Sequence, residues 1–369
     1  MSIFISTGEL SGDMYAARLS AELRRILPEE RIWGMAGNLA SGMERVWNND
    51  RLHIIGLGRI LTSLPSLFSL RNELARAVIA EQPKAVIVID SPDFHIPLLS
   101  KIRAGGYTGK VIYVCPPTIW AWRSGRAKYL KRYCDLCLPL FSFEKNVLDE
   151  KGVRSFWSAH PMMDEFANYT PAGEVLPDDP KRIALLPGSR RSEISSLLPI
   201  LEESGRALAE QGWHPVLSVA PGLDRTCRKL IENNTSGIEW TEVSGRNLMY
   251  ASRFVIGACG TAAVESMLLN RYMIVLYRGT ALEWRIYKAL THTQFVAVPN
   301  VLAGRMFFPE LLQDDVTLEN VMKYANKFIT DEKYQNAVSE QLLKNREIMG
   351  NPGGVARWAD EIKKLISQP

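Results

Sequence analysis

The chain has 369 residues, which is long for one hydrophobic core and comfortable for two. Hydrophobic residues make up 46% and charged residues 23%, a composition that excludes a disordered or fibrous protein. The formal net charge is only +4, and no stripe of basic residues interleaved with aromatic residues occurs, so nucleic-acid binding is not expected.

The N-terminus and the cysteines predict a cytoplasmic protein. Residues 1–6 lead directly into a strand-like segment without a basic region or cleavage site, so no signal peptide is expected. No run of about 18 apolar residues predicts a transmembrane helix. The five cysteines are an odd number, which favours reduced thiols. Cys134 and Cys137 have CxxC spacing but no second pair, so we interpret them as half-buried thiols rather than a metal or redox site.

In the first half of the chain, short apolar runs rich in Val and Ile alternate with amphipathic stretches. This alternation is typical of βαβ units. The runs are continuous, as expected for parallel strands that are covered on both faces. The predicted strands are 3–7, 31–35, 85–90, 110–115, 135–140 and 155–159.

A change in composition at 169–181, which is rich in proline, predicts a linker. The βα alternation then restarts, and helix-forming sequence follows from residue 317. The second set of predicted strands is 182–186, 216–220, 238–242, 254–258 and 273–276. The sequence therefore predicts an α/β protein of two Rossmann-like, doubly wound domains that face each other across a cleft. The expected domains are 1–168 and 182–316, with helices 317–369 crossing back to the first domain.

Two loops of the first domain follow predicted strands and carry acidic residues. In the loop at 7–13, glycines allow a tight turn, and Ser11 or Asp13 can cap the next helix. This loop could contact a ligand or could only cap the helix, and the sequence leaves both roles open. At 89–94, Asp93 fits a helix N-cap, which leaves Asp90 as a general base at the end of a buried strand. A metal site there is the least favoured alternative because no matching loop completes the coordination.

A third loop combines two prolines with Trp120 and Trp122. Core packing could account for one tryptophan, but two that flank a single alanine favour a binding surface.

Two loops of the second domain predict anion binding. Gly188, Ser189 and Arg190 follow one strand, where backbone amides, a helix dipole and an arginine can hold a phosphate. Gly260 and Thr261 follow another strand, and Glu265 lies one helical turn later, where it could accept hydrogen bonds from a ribose. Together these loops indicate a nucleoside diphosphate site.

Eight motifs, in order and with approximate spacing from the first strand to about residue 313, resemble those of the lipid-A-disaccharide synthases. Each motif is weak alone, but eight in register are specific. They are Gly8-Glu9-x-Ser11-Gly12-Asp13, Ile89-Asp90-x-Pro92-Asp93-Phe94, Trp120-Ala121-Trp122-Arg123, Phe143-Glu144-Lys145, His160-Pro161, Leu185-Leu186-Pro187-Gly188-Ser189-Arg190, Gly260-Thr261-Ala262-Ala263-x-Glu265 and Pro299-Asn300-x-Leu302-Ala303-Gly304-Arg305.

The resemblance implies a GT-B fold and an inverting glycosyl transfer that needs no metal or other cofactor. The implied donor is UDP-2,3-diacylglucosamine, and the implied acceptor is 2,3-diacylglucosamine 1-phosphate (lipid X). Asp90 would deprotonate the acceptor 6-hydroxyl, and Glu265 would hold the ribose. The implied diphosphate and donor residues are Gly188, Ser189, Arg190, Gly260, Thr261, Asn300, Gly304 and Arg305. The implied acceptor-side residues are Glu9, Ser11, Asp13, Trp120 and Trp122.

The segment 54–68 is too apolar for an idle surface loop and too short to cross a bilayer. A core helix is one interpretation of it; an interfacial segment that takes acyl chains through Leu57, Ile60, Leu64 and Phe68 is the one we favour. Five basic residues within 123–132 would add attraction to an anionic inner-membrane surface. The resulting expectation is a cytoplasmic protein peripherally bound to the inner membrane, with a homodimer left open.

Four residues depart from the family pattern, but none coincides with Asp90, Arg190 or Glu265. They are Asn38, Arg59, Ser142 and Ala159. The alternatives are another UDP-sugar enzyme, such as a MurG-like transferase or a UDP-N-acetylglucosamine 2-epimerase, and a noncatalytic lipid- or nucleotide-binding protein. The paired tryptophans and the apolar 54–68 segment argue against the epimerase, and Asp90 argues against a noncatalytic protein.

Overall fold

The computed structural model describes residues 2–53, 60–174, 176–220, 223, 225–235, 237–280, 284–285 and 293–368, without the side chains of 10, 51, 53, 60–64 and 234. These residues form two compact units. Unit 1 comprises Met1–Asp164 and Met349–Pro369, and unit 2 comprises Glu165–Ile348.

Unit 1 contains a parallel sheet with strand order β3-β2-β1-β4-β5-β6. The order reverses between β1 and β4, which is where open α/β sheets bind ligands. The strands are β1 Ser2–Thr7, β2 Arg31–Met35, β3 Glu44–Trp47, β4 Ala85–Ile89, β5 Lys110–Val114 and β6 Leu136–Leu138. The helices are α1 Leu10–Ile26, α2 Asp50–His53, α3 Ile60–Glu81, α4 Pro92–Ala104, a 3-10 turn Ser124–Arg126, α5 Ala127–Tyr133, α6 Ser142–Glu150, α7 Met163–Phe166, which crosses into unit 2, and α15 Gly354–Ile366.

Side chains of the sheet alternate between two buried clusters, because successive strand residues point to opposite faces. Phe4 of β1 packs with α3 and α4 on one face, whereas Ile3 and Ile5 pack with α1 and α15 on the other. Trp358 of α15 is completely buried in the second cluster, against Tyr15 at 6.5 Å between ring centroids. This burial explains why the chain end belongs to unit 1.

Unit 2 repeats the arrangement in a parallel sheet with strand order β12-β11-β10-β7-β8-β9, which reverses between β10 and β7. The strands are β7 Arg182–Leu186, β8 His214–Ser218, β9 Glu239–Thr241, β10 Phe254–Ala258, β11 Tyr272–Tyr277 and β12 Glu310–Leu312. The helices are α8 Arg191–Glu210, α9 Arg225–Asn234, α10 Gly245–Tyr250, α11 Thr261–Leu268, α12 Val298–Ala303, α13 Leu318–Thr330 and α14 Glu332–Ile348, with a 3-10 turn Gln313–Asp315.

The structure confirms the predicted parallel strands within about two residues, with one exception. The strand predicted at 155–159 is wrong: only Ser155 forms an isolated bridge, to Cys137. The edge strands β3 and β12 were not predicted, because they are short and lack a continuous apolar run.

The domain boundaries differ from the predicted ones. Unit 2 begins at Glu165, so 169–181 belongs to it, where Asn247 of α10 donates hydrogen bonds to the carbonyls of Ala172 and Glu174. Only Met349–Pro369 of the predicted C-terminal helices groups with unit 1, whereas α13 and α14 belong to unit 2.

Both predicted helix caps are wrong. Helix α1 begins at Leu10, so Ser11 and Asp13 lie inside it, and Glu9 is its N-cap. Helix α4 begins at Pro92 with Ser91 as N-cap, and the Asp93 carboxylate instead pairs with Arg123 and Arg126.

The structure describes only part of the apolar segment 54–68. Leu57 lies outside the described residues, as do the side chains of Ile60 and Leu64 at the start of α3. Phe68 is 54% exposed, while its neighbour Leu67 is buried. Among the described helices, none has the length and apolar character to cross a membrane.

Candidate active site

Asp90 follows directly after β4 in an unusual backbone conformation. Asp90 and Ser91 have φ values of 53° and 42°, in the left-handed region that costs non-glycine residues about 1–3 kcal/mol each. The Asp90 carbonyl accepts hydrogen bonds from the Tyr113 hydroxyl at 2.6 Å and from His95 Nδ1 at 2.8 Å. These two bonds fix the turn that aims the Asp90 side chain.

His95 is neutral and held at both ring nitrogens. Its burial lowers its pKa to about 4. Because the Asp90 carbonyl can only accept, Nδ1 carries the hydrogen, and Nε2 accepts from the Ser6 hydroxyl at 2.9 Å. Sequence reasoning missed His95, Tyr113 and Ser6; the available signal was a histidine among the apolar residues of α4.

The Asp90 carboxylate lies where only glycine leaves room for it. A methyl group at Gly12 would come within 2.5 Å of Oδ2, and one at Gly8 within 1.9 Å of Ser91 Oγ. The two glycines of the first loop therefore admit the carboxylate between β1 and α1, a role that the capping interpretation of this loop did not include.

Asp90 has the electrostatics of a general base. Within the described part of the chain, neither carboxylate oxygen has a hydrogen-bond partner. Burial raises the pKa of Asp90 to about 7, and the negative charges of Glu9 and Asp13 add to the rise. The nearby Ser91 hydroxyl and Gly8 amide offset part of it, although neither meets the geometry of a hydrogen bond to the carboxylate. A carboxylate with this pKa can accept a proton near neutral pH.

The predicted acceptor-side acids occupy different environments. Asp13 is buried, and its Oδ1 accepts from Thr7 at 2.5 Å, from the Gly37 amide at 2.9 Å and from Asn49 at 2.9 Å. It therefore holds the loops beside Asp90 together. Glu9 and Ser11 are exposed at the start of α1.

Both predicted tryptophans are half-buried and tied to charged side chains. Trp120 donates to Glu144 Oε1 at 2.9 Å and packs edge-on against Phe143, with 4.9 Å between ring centroids. The other carboxylate oxygen of Glu144 accepts the amides of residues 140 and 141, which caps α6. Trp122 stacks under Arg123 and Arg126, whose guanidinium carbons lie 4.6 and 5.2 Å from its ring centroid.

His160 is a buried structural residue. Burial lowers its pKa to about 3, and its Nδ1 accepts from the Met162 amide at 3.1 Å. Cys134 and Cys137 are free thiols, and the pKa of Cys134 is well above its usual value because of its hydrogen bond to Cys137 and its burial.

In unit 2, a pocket forms at the ends of β7, β8 and β10. It brings together six of the nine predicted donor residues: Gly188, Ser189, Arg190, Gly260, Thr261 and Glu265. Gly188 and Gly260 have φ values of 95° and 153°, and no described atom beyond the chain neighbours of Gly260 lies within 4 Å of where its side chain would project. Gly260, Thr261 and Ala262 line the pocket, so the N-terminus of α11 borders space that an anion can occupy.

Glu193 already occupies part of this site. Its Oε2 accepts from the backbone amides of Ser189 and Arg190 at 3.2 Å each, and its Oε1 pairs with Arg190 Nη1 at 2.9 Å. The Arg190 side chain is 77% exposed. Both Arg190, a predicted donor residue, and Glu193, to which the sequence gave no role, line this pocket.

Glu265 is held by an arginine that sequence reasoning missed. Arg246 of α10 donates through Nε to Glu265 at 2.7 Å and pairs through Nη1 with Glu165. Burial raises the pKa of Glu265, and Arg246 acts in the opposite direction. The ion pair thus fixes one carboxylate oxygen of Glu265, and Glu265 lines the pocket.

A family model described as lipid-A-disaccharide synthetase matches residues 3–351. The chain belongs to this family. It is 32% identical over 372 residues to the lipid-A-disaccharide synthase of Anaeromyxobacter dehalogenans strain 2CP-C, covering 98% of this chain and 96% of the relative. It is 35% identical to that of Aromatoleum aromaticum over 376 residues, covering 97% and 94%. As a member of this family, it is a glycosyltransferase.

Solved structures show the same fold at low sequence identity. The UDP-GlcNAc 2-epimerase from Neisseria meningitidis has a TM-score of 0.61 at 13% identity, covering 100% of both chains. MurG from Acinetobacter baumannii has a TM-score of 0.57 at 12% identity, covering 98% and 99%. The GT-B fold expected from the sequence is therefore confirmed.

The family motif at 299–305 has a structural role at Asn300 rather than the predicted donor contact. Asn300 is buried, its Nδ2 donates to the Phe308 carbonyl and to Glu310, and its Oδ1 accepts the amides of Phe307 and Phe308. All its bonding capacity is used within unit 2. Gly304 ends α12 with a φ of 62°, and Arg305 donates to Gln341. None of the three lines the pocket.

Proposed function

We propose that this family member transfers 2,3-diacylglucosamine from UDP to the 6-hydroxyl of 2,3-diacylglucosamine 1-phosphate, releasing UDP. The observation that carries the proposal is Asp90, a buried carboxylate on a fixed turn, with a pKa of about 7 and no hydrogen-bond partner among the described residues. Such a group is suited to one proton transfer near neutral pH.

The acceptor oxygen attacks the anomeric carbon as its proton passes to Asp90. The new carbon–oxygen bond forms on the face opposite the departing group, so the configuration inverts. The bond between the anomeric carbon and the diphosphate oxygen breaks, and its electron pair leaves with UDP. Charge therefore develops on the diphosphate, where fixed donors lower the barrier most.

The unit 2 pocket supplies these donors in the proposal. The amides that open α11 at Thr261, together with the helix dipole, face the diphosphate, and Arg190 adds a positive charge. Glu265, oriented by Arg246, accepts the ribose hydroxyls. The protein residues thus stabilise the leaving group directly.

We also propose peripheral association with an anionic membrane, because both substrates are acylated. Exposed Phe68 and the exposed Lys128, Lys131 and Arg132 provide apolar area and charge. Arg126 is buried and paired with Asp93, so the attraction rests on fewer charges than the sequence suggested.

The proposal is tested by incubating the protein with both acylated substrates in mixed micelles and measuring products by mass spectrometry. Equal amounts of disaccharide 1-phosphate and UDP are expected. Donor hydrolysis without disaccharide, or epimerised donor with no transfer, would contradict it.

A further inference from the structure

Arg71 of α3 is a half-buried cation for which the described part of the chain provides no counter-ion. Its guanidinium carbon lies 5.3 Å from the ring centroid of Phe68 and 5.4 Å from that of Phe94. Its Nε is fully buried, and the described residues offer it no hydrogen-bond partner. The aromatic faces hold the side chain by cation–π contact, which leaves the buried Nε donor without a hydrogen bond.

No acid in the nearby sequence can supply the missing partner. The stretch 51–64, which precedes Arg71 and is only partly described, contains neither Asp nor Glu. Glu73 of the same helix accepts from Ser69. By contrast, Arg123 and Arg126 of unit 1 both pair with the carboxylate of Asp93. Partial burial of an arginine without a paired acid is unfavourable, and this burial lowers the pKa of Arg71.

Arg71 lies close to the turn that carries Asp90. Phe94, which stacks against Arg71, belongs to the first turn of α4, and the next residue, His95, donates to the Asp90 carbonyl. The charge of Arg71 reaches His95 and adds to the lowering of its pKa by burial. Arg71 is therefore linked to the turn of Asp90 through two adjacent residues of α4.

We infer that Arg71 binds the phosphate monoester of the lipid-borne acceptor. This inference rests on the proposed function, since it names the group on the acceptor that Arg71 pairs with. A guanidinium forms charge-assisted, bidentate hydrogen bonds to phosphate oxygens, which would satisfy the buried Nε and supply the missing negative charge. The same chemistry is present in the phosphodiester of a bilayer lipid, so the two sources must be separated by experiment.

The test compares two acceptors, 2,3-diacylglucosamine 1-phosphate and the same sugar without its phosphate, in wild type and Arg71→Gln. With the phosphorylated acceptor, we expect kcat/KM to fall about tenfold or more in the variant, mainly through KM. With the other acceptor, the variant should match wild type within about twofold. UDP affinity should not change, and Arg71→Lys should recover part of the loss because it keeps the charge.

Arg76→Gln is the matched control, since Arg76 is exposed on the same helix and should affect neither acceptor. Equal losses with both acceptors would overturn the inference, and equal losses accompanied by reduced sedimentation with anionic vesicles would assign Arg71 to a bilayer phosphate. Should Arg71→Gln unfold, Arg71→Lys provides the same comparison, and unchanged discrimination between the acceptors would count against the inference. If wild type makes no disaccharide from the phosphorylated acceptor, the proposed function itself fails.

Discussion

The carboxylates at the sheet edges of the two units differ in whether a cation neutralises them. In unit 1, Asp90 has no arginine or lysine paired with it among the described residues, and burial raises its pKa to about 7. In unit 2, Glu193 is paired with Arg190, and Glu265 with Arg246. A buried acid without a partner is unfavourable for folding and useful for proton transfer, whereas a paired acid stays ionised and can orient a ligand.

The largest expected effect is that of Asp90→Asn, which removes the base and keeps the shape. We expect kcat to fall about 100-fold or more, with unchanged UDP affinity, because loss of a general base has effects of this size. The fold raises the pKa of Asp90 above its unfolded value, so its ionisation destabilises the folded state as pH rises from about 4 to 7. The variant should therefore melt no lower than wild type at pH 8. Near-normal turnover would show that another group is the base.

The pH dependence of kcat/KM tests the role of Asp90 as the base without a mutation. Because Asp90 must be ionised to accept a proton, and its pKa is about 7, kcat/KM should rise about tenfold per pH unit below that value and level off above it. UDP affinity should instead follow the second ionisation of the UDP phosphate, at about pH 6, because Asp90 does not contact the diphosphate in this proposal. Initial rates from pH 5 to 9 decide the matter; a kcat/KM that does not rise between pH 5 and 7 would contradict the role of Asp90 as the base.

Arg190→Ala should weaken UDP binding by about tenfold, since a charge-assisted contact to phosphate is lost. Isothermal titration calorimetry with UDP alone measures this without any lipid substrate. Arg206→Ala, which removes another exposed arginine paired with a glutamate on α8, is the control. Equal affinity of Arg190→Ala and wild type would place the diphosphate elsewhere.

Tyr113→Phe should lower kcat about fivefold, because one of the two hydrogen bonds that hold the Asp90 carbonyl is lost. A positioning role predicts that KM for the donor stays constant and that the apparent pKa of the rate profile shifts. Tyr107→Phe is the matched control, since that buried hydroxyl also donates to a carbonyl, that of Pro83. Loss of stability alone, at unchanged kcat, would make Tyr113 a packing residue.

The sequence predicted the fold well where burial determines it. Continuous apolar runs became the central strands, because a strand covered on both faces must be apolar throughout. The edge strand β3 carries Glu44 and Arg45 and is largely exposed, so it lacks that pattern. Trp358 lies far along the chain from α1, and no local pattern predicts their contact.

The candidate site was predictable where chemistry coincides with a strand end, and less so elsewhere. Asp90 directly follows the buried strand β4, and Arg190 lies in the short loop after the buried strand β7, so their positions could be read from the sequence. Asn300 shows where such a prediction fails. Although it belongs to a family motif, its side chain makes its hydrogen bonds to nearby residues of unit 2, such as the backbone of Phe307 and Phe308. Arg246 and His95 act through partners that only the folded chain brings close.

The smallest expected effect belongs to Glu193→Gln, and its direction is opposite to that of Arg190→Ala. Glu193 neutralises Arg190 and occupies the amides of Ser189 and Arg190, so it competes with an incoming phosphate. Glutamine keeps one acceptor oxygen for these amides but removes the charge. We therefore expect UDP to bind about two- to fivefold more tightly, the scale of an exposed ion pair.

Glu202→Gln removes the carboxylate that pairs with Arg206 on the same helix and should leave UDP affinity unchanged. If Glu193→Gln instead binds UDP more weakly, its carboxylate serves the site by orienting Arg190 rather than by competing with the ligand. In that case Glu193 would support Arg190, as Arg246 supports Glu265. The contrast with Asp90, which has no such partner among the described residues, would then be sharper.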